Sequence, residues 1–150
     1  MNDLAIGIAY IGAAIPLLGG LLGSSIGLGK AGSAGSAALA EDPKQFRNVF
    51  LLAALPMTQT FYGLIVMIQF MGYIGGHTDM ALDKGLAILG LGLASFTAEF
   101  FSAWYQGLVC ASGIAELPRT KGRITFNTLI LAVYVELIGI LGMVFGLLGI

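Results

Sequence analysis

The chain has 150 residues, of which 57% are hydrophobic and only 10% are charged, and its formal net charge is −1. A soluble domain has about 25% charged residues, so this composition excludes a water-soluble monomer. One cysteine cannot build a disulfide scaffold, and a nearly neutral chain lacks the basic surface that nucleic acids require. With a mean hydropathy of +0.93, the chain is expected to be an integral membrane protein.

Long segments with few or no charged residues predict transmembrane helices, because about 20 apolar residues cross the hydrocarbon core of a bilayer. Four such segments follow one another, at 4–40, 47–74, 82–116 and 123–150. A membrane β-barrel would instead show alternating segments of ~10 residues. We therefore predict an all-α membrane protein with four transmembrane helices in a single membrane domain, residues 1–150.

The first helix contains two rows of small residues at four-residue spacing, and the third helix repeats the pattern less strictly. Small side chains let helix backbones approach closely in a membrane. Two rows predict a helix that is crowded on more than one side, as in the inner wall of a narrow ring; a flexible glycine-rich helix is the alternative. The rows are Gly19, Gly23, Gly27, Ala31 and Gly35; Ser25, Gly29, Ser33 and Ala37; and, on the third helix, Ser95, Ala103, Gly107 and Ala111.

The basic residues gather at one end of the predicted hairpins. Six of the seven lie in or beside the loops that join helices 1 and 2 and helices 3 and 4, whereas Lys84 alone lies near the central connection. By the positive-inside rule, the two basic loops face the cytoplasm, and both termini and the 75–83 loop face outward. The six residues are Lys30, Lys44, Arg47, Arg119, Lys121 and Arg123.

The sequence contains an internal repeat of one helical hairpin. Glu41 and Pro43 in the first basic loop precede Glu116 and Pro118 in the second by 75 residues each. Both copies run in the same direction, which predicts a parallel repeat about an axis along the membrane normal. We place the two hairpins at about 4–74 and 82–150.

Glu136 is the main candidate for function, because it lies near the middle of the fourth helix between Val135 and Leu137. A carboxylate at this depth costs about 2.5–3.5 kcal/mol and is functional by default. It must be protonated, paired with a base, or bound to a cation, and we find no Lys or Arg at comparable depth. A reversible proton or metal-ion load is therefore the expected partner; the alternative is a permanently protonated acid bonded to a neighbouring helix.

Neutral oxygen groups on two other helices could complete an ion site around Glu136. Thr58, Gln59 and Tyr62 share one face of the second helix, and Gln106 adds an amide on the third. Pro56 lacks an N–H and distorts the same stretch, which loosens backbone carbonyls. One carboxylate with several neutral oxygens would suit a monovalent cation. Ordinary interhelical hydrogen bonding is the alternative for each residue taken alone.

Glu99 is a second acidic residue within a predicted membrane helix. It precedes Gln106 by seven residues and therefore lies on the same face, but about 10.5 Å away along the axis, too far to share one ion. Its role stays open among a protonated acid of the inner wall, a second ion or proton site, and a contact with lipid or a partner.

Three motifs on successive helices resemble those of the rotor-ring proteolipid of V-type ATPases, called K in bacterial sodium pumps and c in eukaryotic vacuolar enzymes. The resemblance extends over essentially the whole chain, including one carboxylate for four helices. The motifs are Pro56-x-Thr58-Gln59-x-x-Tyr62, Phe101-Ser102-x-x-x-Gln106-Gly107 and Val135-Glu136.

The resemblance implies a role for each matching residue and is closest to the sodium-binding members. Glu136 would carry Na⁺, or alternatively H⁺, and no organic cofactor is expected. Tyr62 would hydrogen-bond Glu136. The co-ligands would be Thr58, Gln59, Gln106 and the backbone carbonyl of Leu55.

The function expected from the resemblance is that of an ion-carrying subunit in a homo-oligomeric ring of a rotary ATPase, with helices 1 and 3 inside. A stator subunit would present a basic residue to Glu136, and central-stalk subunits would bind loops 41–47 and 117–123. The expected location is a bacterial cell membrane, in contact with lipid. The chain has no nucleotide-binding signature, so other subunits would handle ATP. A structural or channel-forming four-helix protein is the more distant alternative.

Overall fold

The computed structural model describes residues 2–77 and 79–150, and helices account for nearly all of them. Within these described residues, four stretches are long and apolar enough to cross a membrane, as predicted: Asp3–Glu41, Pro43–Gly76, Leu82–Ala115 and Thr125–Leu148. The helices are α1 (Asn2–Glu41), α2 (Phe46–Ala54), α3 (Thr58–Gly76), α4 (Leu82–Ala115), α5 (Leu117–Thr120) and α6 (Thr125–Leu148), with 3₁₀ turns at Pro43–Gln45 and Leu55–Met57.

Helices α1 and α4 lie side by side along their full length, because glycines remove the side chains between them. A Cβ atom on Gly12 would lie 2.6 Å from the Cα of Leu89, and one on Gly107 would strike the backbone of Gly27. Gly19, Gly23 and Gly27 face α4 in the same way, whereas Gly35, at the end of the same predicted row, faces Val49 on α2. The second row, Ser25, Gly29, Ser33 and Ala37, is exposed in the protomer.

The remaining two spans flank this central pair. The α2–α3 segment packs on α1, where Gly63 lies against the backbone of Pro16 and Gly20 against that of Gln59 and Thr60. Helix α6 packs on α4, and Gly113 makes room there for Thr128. Each flanking span thus packs on the helix of the central pair that precedes it in the chain, which is the arrangement of two successive hairpins.

Two apolar clusters occupy the ends of the bundle, and a polar layer lies between them. The cluster near the termini includes Ala9, Phe70 and Ile88, and the cluster near the basic loops includes Leu52, Ile114 and Ala132. Between them lie buried polar side chains from three spans: Ser24, Gln59, Ser95, Glu99, Ser102 and Gln106. The unusual polarity of this layer makes it the candidate functional region.

The basic loops are short and internally bonded. Asp42 accepts hydrogen bonds from the backbone N–H of Lys44 (3.2 Å) and from the side-chain amide of Gln45 (3.1 Å), and its carboxylate lies 3.7 Å from Lys121 Nζ in the other loop. Lys30 is the farthest from these loops of the six basic residues, as the predicted helix 4–40 implies. It lies within α1, eleven residues before that helix ends and about 16 Å from the loop along the axis.

Candidate ion-binding site

The second span changes from α-helix to a 3₁₀ turn at Leu55–Met57, and this break shapes one wall of the site. Pro56 has no N–H to donate and is fully buried. The Leu55 carbonyl accepts the backbone N–H of Thr58 and lies 3.1 Å from Thr58 Oγ1. Thr58 Oγ1 is also 3.2 Å from Gln59 Oε1. Three neutral oxygens therefore meet at the break.

Side-chain amides connect this wall to α4 and α6. Gln59 Nε2 donates to Gln106 Oε1 at 3.0 Å, and Gln106 Nε2 lies 3.3 Å from Glu136 Oε2 and 3.2 Å from the Ala132 carbonyl. Gln59 and Gln106 are both fully buried. The two amides thus form a continuous hydrogen-bonded path from the second span to the carboxylate on the fourth.

Glu136 itself is half-buried and held by two donors. Tyr62 Oη donates to Glu136 Oε1 at 2.8 Å, while Gln106 holds the other carboxylate oxygen. The adjacent Leu137 is 45% exposed on the surface of the protomer. Glu136 therefore lies at the edge of the polar layer, where a small outward movement would bring its carboxylate to the protein surface.

Ser102 is a further member of the site that sequence reasoning did not propose as a site residue. Its hydroxyl accepts from Gln59 Nε2 at 3.0 Å and donates to the Val135 carbonyl at 2.9 Å. The signal was present, since Ser102 lies four residues before Gln106 and therefore on the same face of α4. Ser102 joins the backbone of α6 to the amide network, next to the residue that carries the carboxylate.

The structure brings together every residue that the sequence placed at the ion site. Thr58, Gln59 and the Leu55 carbonyl lie at the helix break, and Gln106, Glu136 and Tyr62 complete the hydrogen-bonded network. The contacts of Thr58 Oγ1 with the Leu55 carbonyl at 3.1 Å and with Gln59 Oε1 at 3.2 Å hold three neutral oxygens close together. The donor set is one carboxylate with neutral oxygens, which fits a single positive charge.

Glu99 is separate from this network. It is fully buried, and neither of its carboxyl oxygens has a hydrogen-bond partner in the part of the chain that the structure describes. It lies against α6, where a Cβ atom on Gly139 would be 3.0 Å from Glu99 Oε2. Cys110 is also buried, in the apolar cluster nearer the loops, and His77 is exposed beside Tyr73.

A four-helix membrane bundle with two repeated hairpins and one carboxylate set among amides defines a class of ion-translocating proteolipids. The family model for the C subunit of ATP synthase matches the chain twice, over residues 11–70 and 89–148. The chain belongs to this family and is a rotor proteolipid of the V/A type. It is an integral, multi-pass membrane protein.

Two curated relatives resemble the chain over most of its length. It is 35% identical over 127 residues to V-type sodium ATPase subunit K of Enterococcus hirae, which covers 85% of this chain and 80% of the relative. It is 35% identical over 138 residues to A-type ATP synthase subunit K of Methanocaldococcus jannaschii, which covers 88% of this chain and 59% of that longer relative.

Proposed function

We propose that this proteolipid carries Na⁺ through the membrane by reversible binding at Glu136, in a ring whose rotation is coupled to ATP. The observation that supports this most directly is the hydrogen-bonded network that joins the half-buried carboxylate, through the amides of Gln106 and Gln59, to the neutral oxygens around Thr58. The ligands would be Glu136, Thr58, Gln59, Gln106 and the Leu55 carbonyl. The name of the Enterococcus hirae relative, a sodium ATPase subunit, favours the same ion.

The position of Glu136 suggests how binding would be coupled to movement. A carboxylate neutralised by Na⁺ can face lipid, whereas an empty one is too costly to place there. Tyr62 holds the carboxylate at the edge of the protomer, so the loaded site is compatible with a lipid-facing position. An empty Glu136 would need a positive partner, which we assign to a basic residue of the stator subunit.

The remaining surfaces would serve assembly. Copies of the chain would form a ring with α1 and α4 on the inside, and the exposed row of small residues on α1 would face the interior. Loops 41–47 and 117–123 would bind central-stalk subunits on the cytoplasmic side of a bacterial cell membrane. Both termini would then lie outside, and lipid would cover the exposed apolar side chains of the outer spans.

The identity of the ion can be tested by carbodiimide labelling of Glu136 in the isolated ring. Carbodiimides react with a protonated carboxyl, so bound Na⁺ should protect Glu136 when added at constant pH. The measurement is the Na⁺ concentration that halves the labelling rate, read by mass spectrometry of the α6 peptide. Protection by alkaline pH alone, with no effect of Na⁺, would make the ring a proton carrier and contradict the sodium assignment.

The role of Glu136 in transport can be tested by Glu136→Gln in the whole ATPase complex. The variant removes the charge that exchanges ions but keeps the shape, so we expect an assembled ring and loss of coupled transport. Asp83→Asn, at the exposed start of α4, is the matched control and should transport normally. Sustained Na⁺ uptake by reconstituted vesicles of the Glu136 variant would refute the assignment.

A further inference from the structure

A buried polar stripe extends along α4 beyond the ion site. Ser95, Glu99, Ser102 and Gln106 recur at intervals of three and four residues, so they share one face, and none is more than 1% exposed. This face packs on α6, where Gly139, Gly142 and Gly146 leave space for it. Three of the four stripe residues have hydrogen-bond partners, and Glu99 has none among the described residues.

No positive charge of the described residues compensates Glu99. Gly139 of α6 borders Glu99, and the titratable residue of α6 nearest to it in sequence is Glu136, three residues earlier. Gln59 borders the same gap, and the titratable residue of α3 nearest to Gln59 is Tyr62, three residues later. On α1, Lys30 lies seven residues, about 10 Å, beyond Gly23, which packs on Phe100. Lys84, on α4 itself, is fifteen residues away. An ionised carboxylate here would be a buried charge with neither a counter-ion nor a hydrogen bond among the described residues, which costs far more than protonation.

The hydroxyl groups near Glu99 suit a protonated carboxyl better than a bound cation, because they have lone pairs free to accept a hydrogen bond but are few in number. Ser95 Oγ donates to the Gly142 carbonyl and keeps free lone pairs, and Ser102 Oγ keeps one beyond its two bonds. A methyl group on Gly139 would approach Glu99 Oε2 at 3.0 Å and Ser102 Oγ at 3.1 Å, so both oxygens border the same gap. Two hydroxyls and one carboxyl offer fewer ligands than the five residues that we assign to the ion at Glu136.

We propose that Glu99 is a second, proton-binding site of each protomer, whose proton stays bound while the ion at Glu136 exchanges. The neutral Glu99 leaves the polar layer with a single negative charge, on Glu136. One monovalent cation then neutralises the polar layer, and a divalent ion would leave that layer with a positive excess. Glu99 therefore acts through its neutral form: it adds no charge to the layer beside the ion site and does not touch the transported ion.

The bound proton can be detected in the intact, Na⁺-saturated ring by infrared spectroscopy. We expect one protonated-carboxyl C=O band per protomer that survives Na⁺ saturation at neutral pH, is shifted by ¹³C-labelling of glutamate, and persists in Glu136→Gln. The same band should be absent from Glu99→Gln. A wild-type ring with no such band, or a band that Na⁺ removes, would overturn the proposal.

A binding measurement separates the proton from a second cation. Because Gln matches the neutral acid, Glu99→Gln should change the Na⁺ affinity of the ring by less than roughly threefold and leave one Na⁺ per protomer. If Glu99 were ionised, removing its charge from the neighbourhood of Glu136 would weaken Na⁺ binding by about tenfold or more. Two Na⁺ per wild-type protomer, falling to one in the variant, would make Glu99 a cation site instead.

The inference depends on the proposed function only for the ion that occupies Glu136. If Glu136 proved to carry H⁺, two carboxyl bands would be present in the ring at neutral pH, and Glu99→Gln would still remove one of them. Failure of the sodium assignment and failure of the Glu99 assignment therefore give different spectra. The wild-type isotope shift keeps the test valid even if Glu99→Gln does not assemble.

Discussion

Tyr62 fixes the orientation of the carboxylate that we assign to ion binding. Its hydroxyl donates to Glu136 Oε1 at 2.8 Å from a neighbouring span, so the carboxylate is held from the α3 side as well as by Gln106. A hydrogen bond to a charged group contributes about 1.5–3 kcal/mol. Tyr62 can thus determine both how tightly the ion is held and how readily Glu136 leaves its closed position.

We predict that Tyr62→Phe weakens Na⁺ binding by about ten- to hundredfold, as that energy range implies. The variant keeps the ring of the side chain and removes only the hydroxyl, so packing should be preserved. The measurement is the Na⁺ concentration for half-maximal protection of Glu136 from carbodiimide. Tyr73→Phe on the same helix is the control, because Tyr73 contacts His77 and Lys84 through its ring. Equal Na⁺ affinity in the two variants would contradict the role of Tyr62.

At the residue scale, the spacing of polar residues along the sequence predicted which residues belong to the site better than it predicted which atoms they hydrogen-bond. Thr58, Gln59 and Tyr62 could be placed on one face from their positions alone, and Gln106 was the one amide of the third helix. Ser102 was not proposed as a site residue, because a hydroxyl in a membrane helix usually bonds to its own backbone. Only the packing of α4 on α6 shows that Ser102 instead reaches the Val135 carbonyl.

At the scale of helices, two buried prolines have different local effects. Pro16 lies inside α1, which continues without a break from Asn2 to Glu41, whereas Pro56 lies in the 3₁₀ turn that separates α2 from α3. Both prolines lack the same backbone N–H, so the sequence could not predict which of them would interrupt its helix. The difference at Pro56 is that Thr58 bonds the Leu55 carbonyl through both its N–H and its hydroxyl, which stabilises the tighter turn.

We expect Pro56→Ala to lower Na⁺ affinity by roughly tenfold, or about 1.4 kcal/mol. Alanine restores an N–H that can bond four residues back, so the turn can become regular helix and the Leu55 carbonyl can bond to Gln59 N–H instead of to an ion. Pro16→Ala is the matched control, since Pro16 is equally buried but lies in unbroken helix. Sodium titrations of both rings, with their thermal stabilities, test this. A similar loss of affinity in both variants would show a general packing effect.

At the scale of the whole molecule, the number, order and approximate bounds of the spans followed from the distribution of charge. Which helix packs on which could not be predicted in this way, because each of these helices has several faces made of apolar or small residues. Gly19, Gly23 and Gly27 meet α4, while the parallel row that begins at Ser25 is exposed, and the sequence could not distinguish the two.

A contact between the loops joins the two halves of the molecule, and it should depend on pH. The side-chain amide of Gln45, followed by the backbone N–H of Lys44 and the charge of Lys121, holds the pKa of Asp42 below its usual value of 3.8. A lowered pKa means that the folded loop favours the ionised form. Its stabilising contribution is therefore present above pH 3.8 and is lost as the pH falls through the lowered pKa.

Accordingly, Asp42→Asn should loosen the first loop at neutral pH in the way that strong acid loosens it in the wild type. The measurement is amide hydrogen exchange of residues 42–48 and 117–123, which should become faster in the variant. Glu41→Gln is the control, because Glu41 is an exposed neighbour in the last turn of α1. Unchanged exchange in Asp42→Asn, or an equal change in both variants, would show that the loop contact does not depend on this charge.

The polar layer between the two apolar clusters also determines how the proposed ion would experience the membrane voltage. Glu136 lies eleven residues from one end of its span and twelve from the other, so the site is close to the electrical midpoint. One elementary charge crossing the whole membrane at 100 mV changes its free energy by about 2.3 kcal/mol. Loading from one side and unloading to the other would each cross about half of that voltage. Voltage would then act on ion uptake and ion release by similar amounts, roughly 1 kcal/mol each per 100 mV.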